Sequence, residues 1–399
     1  MRNLLNFSSL TYKLLVILSI LVLSSNLLLS VSRAPNIATL SIIGIRDLTL
    51  VVLSIILPII FHLQKRRPFL WLLVLIFWVV TGLVLFQSVF FDTAASSTQT
   101  IALFRVVFAL PILVISCCWI CDFNYLKSSD IKWTAILEGS TKLYVFICFI
   151  EALMLILGFY NNYLELINYH AFMQSKGVSA GISFGLLDTR LITPLFNPSV
   201  GGVVLAAFFG FFLHRKQYWW AATCIVPLIL TVSKTGWIIA IIFIAFKRFN
   251  PVVGFILGVF AYMTLALLFL DLERLEALNL RHDIFLHLAS IESHLDGLTS
   301  GLRRFFSPVG IGNAGTIPGV VFSDKLGRES GVGTGLASIG YVYFFLVSLS
   351  CIVLISQYKR VGYLLSSMYL LVALMNEGAA TYYAWLPVFL LYLSSYESK

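Results

Sequence analysis

The stretch Arg190-Leu-Ile-Thr-Pro-Leu-Phe-Asn-Pro-Ser-Val-Gly-Gly202 sets a guanidinium ahead of Asn197-Pro198, a pair that favours a turn or a helix start. A helix opening there points free N–H groups toward the arginine, the elements of an anion site. A second stretch, Leu230-Thr-Val-Ser-Lys-Thr-Gly-Trp237, places Ser233 and Lys234 at a break between two short apolar runs. A third, Gly310-Ile-Gly-Asn313, is followed by Arg328-Glu-Ser-Gly331. Further basic residues lie between and beside these stretches: Arg274, Arg281, Arg303, Arg304 and Lys325. Arginine presents a planar fork that matches phosphate oxygens, so as a group these cations fit a phosphate or pyrophosphate. Each also has a plainer reading. The arginines can be solvated or paired with Asp188, Asp271, Glu273, Glu276, Asp283 or Asp324; Lys234 can snorkel to an interface; the glycines can form a tether.

The elements that must hold these residues are apolar. Of 399 residues, 59% are hydrophobic and 11% charged, against about 45–50% and about 25% in a soluble domain, which excludes a cytosolic enzyme, a secreted disulfide scaffold and a disordered chain. A membrane helix needs about 20 apolar residues. The apolar runs predict about twelve spans, near 10–31, 46–63, 69–90, 100–121, 136–159, 198–213, 218–232, 235–247, 252–270, 335–356, 361–376 and 382–396. The first reads as an uncleaved helix: no small-residue cleavage pattern follows it. The six cysteines, Cys118-x-x-Cys121 among them, lie in or at the ends of apolar runs and read as small apolar side chains, with no disulfide framework or metal site expected. His282, His287 and His294 lack the company of a metal site.

Charge fixes the orientation. Lys65-Arg66-Arg67, Lys127 with Lys132, Arg215-Lys216, Lys247-Arg248 and Lys359-Arg360 fall at alternate loops. Short basic loops stay in the cytoplasm, so twelve spans put all five clusters and both termini inside. The net charge of +9 is thus largely topology and does not imply nucleic acid. Two long loops, 160–197 and 271–334, then lie outside with the anion-site residues, and the second carries an amphipathic stretch including Leu272, Leu275, Leu278, Phe285, Leu288 and Ile291. The chain therefore divides into helices 1–5 (1–159), a first outer loop (160–197), helices 6–9 (198–270), a second outer loop (271–334) and helices 10–12 (335–399). Glu138, Glu151 and Arg105 fall within spans, where ionisable groups are functional by default or pair inside the bundle. Tyr341 and Tyr343 read as an interfacial belt ahead of a sugar platform.

The order of the three stretches resembles that of bacterial O-antigen polymerases (Wzy-type) and the wider O-antigen ligase/polymerase superfamily. The matching positions are Arg190 with Asn197-Pro198, Ser233-Lys234, Arg281, Gly310 with Gly312, and Glu329-Ser330, across roughly residues 185–350. Arg190 to Gly201 and Arg281 to Gly297 also match spacings of some polymerase loops. The chain departs from the family in having Lys234 where relatives carry arginine, and Glu329-Ser330 where ligases carry histidine.

The resemblance implies an all-α integral membrane protein, a GT-C-like bundle of about twelve helices with two large periplasmic loops, in the bacterial inner membrane. It implies a metal-independent glycosyltransferase without cofactor that joins undecaprenyl-pyrophosphate-linked repeat units into surface polysaccharide, partnered by a chain-length regulator. Arg190 and Arg281 would hold the pyrophosphate with Lys234 in support, and cations there would stabilise the departing charge. Glu329 would be the base or would position the acceptor, with Asp188, Asp283 and His282 as alternatives. Asn197, Ser233, Arg328 and Ser330 would complete substrate binding. A ligase transferring glycan to lipid A core and a lipid-linked sugar transporter are the competing readings.

Overall fold

The computed structural model describes residues 2–31, 36–61, 68–90, 97–120, 128–171, 190–248, 296–311, 313–314, 330–376 and 378–396. Among them there is no strand. The helices are α1 (Arg2–Val31), α2 (Asn36–Phe61), α3 (Pro68–Phe90), α4 (Ser97–Val107), α5 (Ala109–Ile120), α6 (Ser128–Ile156), α7 (Tyr160–Leu166), α8 (Pro198–His214), α9 (Tyr218–Leu230), α10 (Lys234–Arg248), α11 (Gly331–Ile339), α12 (Tyr341–Met375) and α13 (Tyr382–Tyr396), with a 3-10 turn at Gly378–Ala380.

Four helices are long and apolar enough to cross a bilayer, over Ser9–Leu28, Pro68–Gln87, Lys132–Ile156 and Tyr341–Met375, and six shorter apolar helices accompany them. α3 shows what such a helix needs outside. Leu72, Leu75, Val79, Leu83 and Phe86, at helical spacing, are all exposed on one side of it. In water that stripe would be a large apolar patch; in lipid it is the solvated face. The chain is a membrane-embedded α-helical protein.

The interior is built on helices that are apolar all round. In α8 every side chain from Val200 to Phe212 is buried, as is the run Val106–Cys118 through α5. Lipid tails are as apolar as leucine, so close backbone approach has to hold such helices together. α8 meets α10 at glycine: a Cβ on Gly236 would lie 2.7 Å from the Gly202 carbonyl carbon and oxygen, and one on Gly202 would lie 2.3 Å from Ser233 Cβ. One helical turn pair later, Gly210 accepts the ring of Phe243. The helical stretch 296–303 crosses α11 in the same way, with Gly297 and Gly301 against Gly333. At the inner end of the contacts, the Tyr392 hydroxyl of α13 donates to the Ala207 carbonyl of α8 at 2.9 Å.

The expected spans meet the structure unevenly. α1, α3, α6, α8, α9, α10 and α13 fall on seven of them, and α2 begins at Asn36, well ahead of the expected 46. The run 100–121 is jointed at Phe108 between α4 and α5. Pro111 has no N–H for the Val107 carbonyl, which loosens the helix one turn earlier. The run 335–356 is not one helix: Gly340, at φ 60° and ψ −138°, separates α11 from α12. Only glycine fits there, since a Cβ would lie 2.4 Å from the Phe305 carbonyl oxygen. The boundary expected at 356–361 is a reversal inside α12 at Lys359 (φ 40°, ψ −110°). A Cβ on Gly362 would lie 2.2 Å from the Leu354 carbonyl oxygen, whereas eight residues of straight helix span about 12 Å. The span at 252–270, the amphipathic stretch at 272–291 and the basic cluster Lys65-Arg66-Arg67 lie outside the described residues. Within the first long loop the chain forms α7, and α11 opens at Gly331, three residues ahead of the expected end of the second loop at 334.

Substituting Gly202 with valine should lower the melting midpoint in detergent micelles, by a cost on the order of 1–3 kcal/mol for overpacking a closed contact. Gly139→Ala is the control: a Cβ there meets nothing within 4 Å, so its midpoint should hold or rise.

Candidate functional site

Three helices open close to one another, each with its own side-chain cap. Asn197 is extended (φ −147°, ψ 111°), and its Oδ1 accepts from the N–H groups of Ser199 and Val200 at 3.0 and 3.1 Å, so Asn197-Pro198 does start α8. Ser233 caps α10, its Oγ accepting from Gly236 N–H at 3.2 Å. The same hydroxyl donates to the Ser199 carbonyl at 3.4 Å, which ties the two openings together. Ser330, fully buried, caps α11 by accepting from Gly333 N–H at 3.1 Å.

Between the openings of α8 and α11 sits the turn Gly378–Ala380. Asn376 Oδ1 accepts from Ala379 N–H at 2.8 Å, and a Cβ on Gly378 would lie 3.5 Å from that oxygen and 4.0 Å from Asn197 Nδ2. On the other side a Cβ on Gly331 would meet Ala380 Cβ at 2.9 Å. Tyr369 and Trp385 hold the turn from below, donating to the Ala380 and Ala379 carbonyls at 3.0 and 2.9 Å.

Arg190 reaches this cluster from a strap, 190–196, that ends in a turn over 193–196. The strap joins the end of α9 through Leu191 N–H, which donates to the Leu230 carbonyl at 3.0 Å. The guanidinium follows, with Nε donating to Thr231 O at 2.9 Å and Nη2 to Val232 O at 3.0 Å. Val232 is left-handed (φ 51°), and that kink is what presents the two carbonyls. Lys234, first residue of α10, stands within electrostatic range of Arg190. Burial pushes the Arg190 guanidinium below its ordinary value, but arginine keeps its charge in proteins. The strap itself is buried from Leu191 to Phe196 and is held by Tyr160 OH, which accepts from Ile192 N–H at 2.9 Å, and by Asn26 Nδ2, which donates to Leu195 O at 2.7 Å.

Of the residues singled out from the sequence, Arg190, Asn197, Ser233 and Lys234 are brought together, and Ser330 opens the neighbouring helix. Asp188, Arg281, His282, Asp283, Arg328 and Glu329 lie outside the described residues. Tyr343 is corrected: it is buried against Gly335 and forms no interfacial belt, while Tyr341 is exposed. Glu138 pairs with Lys142 at 2.8 Å and accepts from Gln217 Nε2 at 2.7 Å, with Arg215 at 4.0 Å, so its partners come from its own helix and the α8–α9 turn. The described cysteines, Cys117, Cys118, Cys148, Cys224 and Cys351, are buried thiols, and Cys121 lies outside the described residues. Among the described residues no group of three or more His, Cys, Asp or Glu is placed to hold a metal. Sequence reading missed Asn376 and Gly378; an Asn-x-Gly between two apolar runs was the available cue.

Two cations beside two capped helix starts can bind an anion with several oxygens and stabilise charge that develops on it. No protein-family model, curated protein or solved structure matches this chain.

Asn197→Ala should cost about 1 kcal/mol, read as a lower denaturation midpoint, because it orphans two N–H groups at the α8 opening. Asn197→Asp keeps an accepting oxygen there and should recover most of that loss.

Proposed function

We propose that this chain is a membrane glycosyltransferase that polymerises undecaprenyl-pyrophosphate-linked repeat units at the outer face of the bacterial plasma membrane, in the manner of O-antigen polymerases. The observation that carries the reading is the pairing of Arg190 with Lys234 at the joined openings of α8 and α10. Two cations near each other beside capped helix starts suit an anion with several oxygens, and a pyrophosphate supplies enough for both cations and the helix starts. The alternation of basic clusters supports an orientation with this end of the helices outside and both termini cytoplasmic.

In the proposed reaction an acceptor hydroxyl oxygen attacks the donor anomeric carbon. The bond from that carbon to the pyrophosphate oxygen breaks, the hydroxyl proton passes to a base, and undecaprenyl pyrophosphate leaves. Arg190 and Lys234 act on the leaving pyrophosphate, whose negative charge grows as the bond breaks. Arg281 is assigned to the same group and Glu329 to the base, with Asp188, Asp283 and His282 as alternates; Asn197, Ser233, Arg328 and Ser330 border the substrate.

Arg190→Ala or Arg281→Ala, expressed in a strain without the wild-type copy, should reduce a glycan ladder to single repeats. Arg190→Lys should also shorten the chains, since lysine cannot reproduce the fork that spans the carbonyls of Thr231 and Val232 and an anion together. A full ladder from the alanine variants would sink the assignment. Long polymer left on the lipid carrier would instead indicate ligation to a core.

A further inference from the structure

Glu151 lies near the carboxyl end of α6 and is 1% exposed. One carboxyl oxygen, Oε1, accepts from the Tyr163 hydroxyl at 2.5 Å; the other, Oε2, is buried and has no hydrogen-bond partner among the described residues. The groups around it are neutral. Tyr144 and Cys148 come from the same face of α6 and Tyr160 and Tyr163 from α7, with Cys224 of α9 beside Cys148. Among the described residues no Lys, Arg or His forms an ion pair with it. Arg190, the guanidinium on the strap, donates to the carbonyls of Thr231 and Val232.

A carboxylate shut away from water without a counter-cation costs far more than a single hydroxyl bond returns. Charge balance requires one positive charge at Oε2. We propose that Glu151 is a proton-binding site, and that its proton latches the strap carrying Arg190. The mechanical link is continuous. Glu151 holds Tyr163, whose ring stacks on Tyr160 at 5.9 Å, and Tyr160 accepts from Ile192 N–H at 2.9 Å, two residues from Arg190. Loss of the proton puts a bare charge beneath the strap, and the way for that charge to reach water is to part α7 and the strap from α6. The site is distinct from the pyrophosphate chemistry proposed above and does not rest on it.

The test is infrared spectroscopy of the full-length protein in liposomes, which needs no substrate. A carbonyl-stretch band of a protonated carboxylic acid should be present near neutrality, vanish at alkaline pH, and be absent from Glu151→Gln. Should the glutamine variant fail to fold, Glu151→Asp must shift the same band. No such band near neutrality overturns the proposal, and a band that sodium ions abolish at constant pH overturns it in favour of a sodium site. Hydrogen exchange of the peptide over 190–196 tests the latch. Wild type should lose protection at alkaline pH relative to Glu151→Gln, whose neutral amide keeps the Tyr163 bond; identical protection at every pH refutes the coupling.

Discussion

In hydrocarbon a backbone N–H or C=O that lacks a partner within the protein has none at all, and every helix end leaves several such groups open. The candidate site is arranged by that constraint. Where α9 stops and α10 starts, Val232 turns left-handed and two carbonyls face outward, and the Arg190 guanidinium closes both. Where α8, α10 and α11 start, Asn197, Ser233 and Ser330 supply the missing acceptors. The residues that read as ligands for an anion are thus also the residues that let these helices end inside the bundle. A substrate phosphate would enter a place already organised around open helix ends.

Packing follows from the same solvent. With no water to expel between helices, contact area and backbone proximity replace hydrophobic attraction as the cohesive terms. That accounts for the glycines at the crossing of α8 with α10 and at the crossing of 296–303 with α11. The crossings place the caps: Gly202 against Gly236 is what sets Ser233 on the first turn of α8, and Gly331 against Ala380 brings the α11 opening to the Gly378–Ala380 turn.

Much of the site could be read from local chemistry. Asn197-Pro198 is a helix start by composition alone, and a lysine between two short apolar runs has to mark a break; both hold in the structure. What escaped depended on partners distant in the chain. Gly331, Gly333 and Gly335 look like a tether in one dimension, yet they are helical because Ala380, Gly297 and Tyr343 lie against them. The break at Gly340 follows from the Phe305 carbonyl, more than thirty residues earlier, which no window over 335–356 contains. Glu151 was marked as an intramembrane ion, but its tie to the Arg190 strap runs through Tyr163 and Tyr160, in a segment read only as loop. The number of spans is likewise a matter of loop charge, since four helices meet the bilayer by length and composition and the others are shorter.

The reversal at Lys359 bears on how the protein is made. Its two arms are joined by a single non-helical residue, with Lys359 and Arg360 exposed at the bend. There is no slack to hold one arm in lipid while the other waits outside. During synthesis the two arms are therefore placed as one unit, a helical hairpin whose bend carries both cations.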